Sequence, residues 1–381
     1  MKILRVLGQS IAFSFLLLAG AQIARPEDAP APALTDQQPA PAAGTADSQS
    51  PATPAAPKPA AASDTVPAPG VPTGNPYLPA VNLGGRVPIH LFGYLQPRFT
   101  QQAGQNSPFS IKRARLIVDG NLDPHVDFYF QLDANLSPAL LDAYVNLKPS
   151  KQLRFRVGQF KVGFSTESLL PDDVVVPVER AVVINKFSPG RDISSQGRDL
   201  GAQAYGTLTA WSRPVVEYSV GIFNGSGIYN IATNHQKALA GRVIVHPIAG
   251  LSIGGNYYEG KTGTSPAILV TKQRSDLELG YARGRFYSWG EYLFGHDGLV
   301  HRSGGYGLAA YRINKQWEVL ARAEEYNAQH DKRGQTTRIY MGGINFYPYR
   351  LVKFGANWGA QKDPVTGKLS NYVLAQLQTG F

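Results

Sequence analysis

Cysteine is absent from all 381 residues, so the chain holds no disulfide frame, no thiolate metal site and no lipidated thiol. Charge is scarce: Asp, Glu, Lys and Arg make up 17% of residues, below the usual quarter. No stretch approaches the roughly 18 consecutive apolar residues of a spanning helix, which excludes a membrane protein built from helices. The motifs of enzyme chemistry are missing as well: there is no Gly-x-Ser-x-Gly elbow, no His-Glu-x-x-His and no P-loop. Gly305-Tyr306-Gly307-Leu308-Ala309-Ala310 fits a loose dinucleotide pattern, but nothing after it has helical period. His125, His235, His246, His296, His301 and His330 lie near turns or loops without metal-ligand spacing. These absences predict no enzyme, no metal and no cofactor.

What is present begins with an export signal over residues 1–21. Lys2 and Arg5 form a basic start, Ile11 to Leu18 an apolar run, and Ala19-Gly20-Ala21 a small-residue cleavage site. Half of the 28 prolines then fall within residues 22–80, where Ala and Ser supply most of the rest. Such a composition buries too little apolar area to offset ordering, so a disordered periplasmic spacer is expected. Residues 81–381 carry the folded part. Residues 1–80 contain Lys2, Arg5, Arg25 and Lys58 against Glu27, Asp28, Asp36, Asp47 and Asp64, so the folded part is one unit more positive than the chain's formal +10. An exported chain rarely meets nucleic acid, and the excess is better assigned to a small anionic solute.

Sixteen alternating runs, each of about 8–14 residues, fill the stretch from about residue 88 to residue 381. The last is typical: Val373, Ala375, Leu377, Thr379 and Phe381 share one face, while Gln376, Gln378 and Gly380 take the other. The connections sort by parity. After even runs they are tight, as at Asp123-Pro124, Lys148-Pro149-Ser150, Trp211-Ser212-Arg213, His246-Pro247-Ile248, Arg283-Gly284, Ile313-Asn314-Lys315 and Tyr347-Pro348-Tyr349. After odd runs they are mostly longer, including 260–272 and 296–302, and the longest covers about 164–195. A soluble sandwich has no reason to gather its short turns at one end. An outer-membrane β-barrel does, because one rim carries short periplasmic turns and the other long external loops. The expected fold is therefore an all-β, transmembrane, antiparallel barrel of about 16 strands with its outer face in lipid.

The phase of each run assigns a side to each residue. Ala114, Leu116 and Val118 face lipid, which turns Arg113, Arg115, Ile117 and Asp119 inward. Val126, Phe128, Phe130 and Leu132 face out, leaving Asp127, Tyr129, Gln131 and Asp133 inside. Leu153, Phe155 and Val157 do the same for Arg154 and Arg156, and Arg98, Arg242, Arg322 and Lys353 also point into the lumen. A charge facing lipid at the midplane costs about 2–4 kcal/mol, so a barrel forces this choice. Trp211 and Trp317 fall beside short turns, where an aromatic girdle belongs. Sixteen strands enclose more than side chains can fill, and the expected interior is a water-filled channel.

Several segments resemble the phosphate-selective porin O and P family of bacterial outer membranes. They are Ile111-Lys112-Arg113-Ala114-Arg115-Leu116, the run Val157-Gly158-Gln159-Phe160-Lys161-Val162-Gly163-Phe164-Ser165-Thr166-Glu167, the pair Glu179-Arg180, the exit Gly197-Arg198-Asp199-Leu200-Gly201, and Gly221-Ile222-Phe223-Asn224-Gly225. The resemblance covers about 90–381 and is most specific over 157–225. Gly163 stands where a Pro is common, and the Arg-Asp pair occurs both at Arg191-Asp192 and at Arg198-Asp199; the second runs straight into a strand and sets the register. The resemblance implies a homotrimeric, anion-conducting porin in outer-membrane lipid, with a third external loop folded inward and basic residues along the route for phosphate-like anions. The candidate anion-binding or pore-lining set is Arg98, Arg113, Arg115, Arg154, Arg156, Lys161, Arg180, Lys186, Arg191, Arg198, Arg242, Arg322 and Lys353. Against it stand Asp127, Asp133 and Asp142 on the wall and Glu167, Asp172, Asp173, Glu179 and Asp192 in the loop. Two other readings stay open: a general diffusion porin with weak selectivity, and a structural or adhesive barrel whose residues 22–80 bind the cell wall.

Overall fold

A computed structural model of the protein describes residues 81–83, 87–211, 213–228, 236–265 and 268–381. The export signal and the proline-rich segment over 22–80 lie outside the described residues. The strands run in chain order as β1 (Val81–Leu83), β2 (Val87–Gln102), β3 (Phe109–Asp123), β4 (Val126–Asp133), β5 (Leu140–Leu147) and β6 (Arg154–Lys161). They continue with β7 (Arg198–Ala210), β8 (Arg213–Phe223), β9 (Ala238–Val245), β10 (Leu251–Ser265), β11 (Ile268–Arg283) and β12 (Phe286–Asp297). The last five are β13 (Val300–Arg312), β14 (Trp317–Asn327), β15 (Thr336–Tyr349), β16 (Val352–Lys362) and β17 (Leu369–Gly380).

Each strand from β2 to β17 pairs antiparallel with the next, and β17 pairs back onto β2 with Tyr372 opposite Gln102 and Gly380 opposite Tyr94. The result is a closed barrel of sixteen strands, with β1 added as a short hairpin partner of β2. Closure leaves no unpaired edge, which is what a sheet needs in a medium without water. At the seam the Phe381 amide donates to Gly93 O at 3.0 Å and the Gly93 amide returns a bond to Phe381 O at 3.1 Å. Gly93 permits this approach, because a Cβ there would lie 2.5 Å from the Phe381 ring.

Alternation along the strands separates two environments. Val157 is 57% exposed and Val220 63%, and Leu277, Leu279, Leu239 and Ile222 share that outward apolar surface. Glu217, Asp276 and Glu278, on the opposite phase, are buried. An apolar band this continuous on a soluble protein would be an aggregation surface; against lipid it is the wetting face. No helix among the described residues is long and apolar enough to cross a membrane.

Two connections expected to be long are short. β10 and β11 pair as far as Ser265 opposite Ile268, and β12 and β13 as far as Asp297 opposite Val300. Apolar alternation marks only the lipid-facing height of a hairpin. Above that height the two strands go on pairing without a regular apolar–polar alternation, as in Ile268-Leu269-Val270, and the sequence pattern no longer reports them. The long connections of that rim are 162–197 between β6 and β7, and 224–237 between β8 and β9. Within the first, short helices form at Thr166–Leu169 and Val182–Phe187, each too brief to leave a helical period in the sequence.

Candidate functional site

The segment 162–197 lies inside the ring and touches strands on opposite sides of it. Near one wall, Asp172 pairs with Arg113 at 3.2 Å and Arg115 at 2.7 Å, both on β3. Toward the far wall, the Thr166 amide donates to Glu278 of β11 at 3.2 Å and the Glu167 amide to Glu291 of β12 at 2.7 Å. Between them the Val178 amide donates to Asn357 at 2.6 Å, the Val182 amide to Glu324 at 2.5 Å, and Asn345 to Val176 O at 3.0 Å. The segment also supplies an apolar plug: Val183, Ile184 and Phe187 of the second helix pack with Leu293, Tyr306, Leu320 and Tyr326 of the barrel interior. Bare backbone survives here because wall side chains supply its hydrogen bonds.

Most of the candidate cations are spent on holding this segment. Arg98 donates to Gln376 at 2.9 and 2.7 Å, to Val178 O at 2.8 Å, and pairs with Glu179 at 2.5 Å. Arg115 is shared between Asp133 at 3.0 Å and Asp172. Arg180 reaches Asp172 at 2.8 Å and the carbonyls of Glu167 and Leu170. Arg198 donates twice to Asp142 Oδ2, at 2.9 and 2.6 Å. Arg322 pairs with Glu324 at 2.7 Å and donates to Glu179 O at 2.8 Å. Lys353 caps the carbonyls of Val175 and Val176 at 2.8 and 2.9 Å, and Lys161 those of Leu169 and Leu170. Arg191 holds Ser168 through its hydroxyl at 2.9 Å and its carbonyl at 3.0 Å. Arg242 donates to the Thr166 hydroxyl and lies 3.6 Å from Glu278.

Three cations of the set differ. Lys186 is exposed on the second helix, and Arg154 is half-buried on the inner face of β6. Arg156, two residues on, donates to the Asn146 side chain at 2.8 Å and sits 4.0 Å over the Tyr144 ring, with Tyr205 at 5.2 Å and Phe160 at 5.6 Å. It forms no ion pair with a carboxylate among the described residues, and it stays half-buried. Gly158 makes room for this arrangement. It faces Tyr144 across the β5–β6 pair with φ +134°, and a Cβ there would meet Ala143 O at 2.2 Å.

The carboxylates of the segment are set apart by their partners. Burial opposes ionisation of Asp172, yet Arg113, Arg115 and Arg180 hold its carboxyl well below the usual range. Burial likewise raises Glu179, but Arg98, Lys112 and Arg113 outweigh it and bring the group to about 2. Asp173 lacks such a clamp, and burial pushes it up to about 6.

Among the features that escaped sequence reasoning are two close contact sets. Arg274 of β11 is fully buried, pairs with Asp192 at 3.1 Å and Asp297 at 2.5 Å, and lies 4.1 Å over Phe187. Its signal is the alternation Lys272, Arg274, Asp276, Glu278, which straddles the boundary between the expected connection 260–272 and the run that follows it. The second is a contact set across β8, β10 and the turn between β9 and β10. His246 lies 2.9 Å from Ser252 Oγ and 2.8 Å from Glu217 Oε1. Ser252 is 2% exposed, so its hydroxyl is closed to a substrate and the set reads as a structural brace.

Comparison with known proteins agrees with this architecture. The description of the phosphate-selective porin O and P family matches residues 81–373. No curated protein matches. Among solved structures, the anion-selective porin from Comamonas acidovorans superposes with TM-score 0.60 at 14% identity, over 77% of this chain and 100% of that one. OmpF of Salmonella typhi, solved with daunomycin, gives 0.58 at 9% identity over 79% and 99%. The trimer form of in-vitro folded OmpT from Vibrio cholerae gives 0.52 at 11% identity over 77% and 99%. At these identities the structures report the fold, and the family match carries the assignment. The chain belongs to the phosphate-selective porin O and P family and is a porin of the bacterial outer membrane.

Proposed function

We propose that this porin conducts small inorganic anions, phosphate among them, and that Arg156 forms the anion station on the wall. The observation that carries the reading is the way Arg156 is held. Aromatic faces and an amide oxygen fix the guanidinium in place without cancelling its charge. A guanidinium so placed offers forked N–H donors to a phosphate oxygen while water stays available, which favours entry without trapping the ion. The net positive charge of the folded part raises the local anion concentration in the same sense. The anion selectivity of the Comamonas acidovorans porin supports this reading, and the trimer form of OmpT supports assembly of this chain as a homotrimer.

Reversal potentials across a planar bilayer in a KCl gradient test the sign. Chloride preference is expected, and cation preference overturns the proposal. Arg156→Ala is expected to weaken phosphate block of the chloride current about tenfold, the loss of one charge-assisted contact of about 1.4 kcal/mol. Unchanged block removes Arg156 from the route. The general diffusion reading gains support from the buried carboxylates of β11 and β12, and near-equal chloride and potassium permeability would select it.

A further inference from the structure

The far wall of the lumen gathers more carboxylates than the guanidiniums beside them among the described residues. Asp276, Glu278 and Glu291 come from neighbouring strands, 1–3% exposed, and one carboxylate oxygen of each lies within 4.8 Å of the others. Glu278 and Glu291 stand directly opposite each other in the β11–β12 register, a like-charge pair that destabilises a sheet unless something lies between. Glu167 adds a fourth buried carboxylate from the crossing segment, tied in through its amide bond to Glu291. Among the described residues, the cations paired with the cluster are Arg242, 3.6 Å from Glu278, and Arg322, 3.5 Å from Glu167 and already committed to Glu324.

The hydrogen bonds divide each carboxylate into a satisfied and an unsatisfied oxygen. Asn256 donates to Asp276 Oδ2 at 2.7 Å and to Glu278 Oε1. Glu291 Oε1 receives the Glu167 amide, Trp289 Nε1 at 3.0 Å and the Tyr306 hydroxyl at 3.0 Å. Asp276 Oδ1, Glu278 Oε2 and Glu291 Oε2 receive nothing, and neither does Glu167 Oε2. Asn256 supplies an independent sign. Its side chain is wedged between Asp276 and Glu278 at 6% exposure, and its own oxygen, which carries no charge to titrate, is also without a partner. Buried oxygens converging without donors call for a cation.

We propose that Asp276, Glu278 and Glu291, completed by Asn256 and Glu167, bind one divalent cation of the calcium class. Calcium takes six to eight oxygens at about 2.3–2.6 Å, so oxygens on opposite sides of it lie about 4.8 Å apart, which matches the span of this cluster. Magnesium, which keeps several waters and an octahedral shell at about 2.0–2.1 Å, suits a dry all-protein site poorly. The ion would sit where Thr166 and Glu167 dock, and so would fasten the crossing segment to the β11–β12 wall.

The test uses the full refolded barrel in detergent, stripped with EDTA and titrated with Tb3+, whose luminescence Trp289 sensitises from beside the cluster. The expected result is one saturable Tb3+ per chain, displaced by Ca2+ and silenced in Trp289→Phe. Glu278→Gln and Glu291→Gln are expected to weaken it by at least about tenfold, while Glu259→Gln, an exposed acid of β10, leaves it unchanged. Absence of saturable binding near neutral pH, or binding indifferent to both variants, overturns the proposal and leaves protons as the neutralising species. Should either variant fail to refold, the wild-type melting midpoint in Ca2+ against EGTA decides, and an unshifted midpoint overturns it as well. Neither readout depends on which ion the channel conducts.

Discussion

Two stations of the lumen face each other and invert each other's arithmetic. At β3, one carboxylate, Asp172, sits among three guanidiniums; at β11 and β12, three carboxylates sit with a single guanidinium 3.6 Å from Glu278. The crossing segment is pinned at both ends, but by opposite means. Near Asp172 each guanidinium has that carboxylate within 3.2 Å, so the burial cost of Asp172 is met by its neighbours. On the far wall pairing is incomplete, and the fold holds its carboxylates only with help from a mobile cation. A porin can therefore be rigid at one wall and ion-responsive at the other with a single loop. Most of the candidate Lys and Arg of the wall are used in fastening the loop, so direct contact with a permeating anion is left to few of them.

The largest expected effect comes from breaking the first station. Asp172→Ala leaves Arg113, Arg115 and Arg180 without their shared partner and should destabilise the docked segment by about 3–5 kcal/mol. Limited proteolysis within 162–197 and a rise in single-channel conductance with added noise would register it; a quiet, unchanged channel would show that the segment is held elsewhere. The second station predicts the opposite sign. In EGTA, Glu278→Gln should raise the melting midpoint, worth about 1 kcal/mol, because it removes one of two facing like charges. A lower midpoint in EGTA would mean that the cluster is already neutral and that the contrast between the walls is false.

The smallest effect is a titration. Asp172 and Glu179 stay ionised across the working pH range, whereas Asp173 changes charge near 6. Its folded pKa is raised, so the stability it contributes is full below the ordinary carboxyl range and is lost as pH rises through about 6. Ionisation also adds a negative charge to the crossing segment, and chloride preference should fall over the same interval. Asp173→Asn should flatten that step in the reversal potential; persistence of the step would assign it to another group.

Much of the wall was legible before any coordinates. A period of two and an apolar solvent leave one phase for each strand, and that argument alone assigns Arg98, Arg113, Arg115, Arg154, Arg156, Arg242, Arg322 and Lys353 to the inner side. The candidate site was legible only as a set of side chains sharing a side. Arg156 and Arg198 both look like inward guanidiniums in the sequence, yet one lies on Tyr144 and the other is paired with Asp142, 56 residues away. The carboxylate cluster was missed for the same reason, since its members come from β10, β11, β12 and the crossing segment and no local pattern joins them.

By itself, then, the amino-acid sequence determined the barrel: alternation is a local property, and lipid outside and water inside punish any other phase. Which cations remain available to a permeating anion, and where the carboxylates are left in surplus, was decided only when a segment from between β6 and β7 crossed to strands far away in the chain. Ion pairing at close range depends on distances of a few ångströms between residues that the sequence keeps scores of positions apart, and only closure of the ring brings them together.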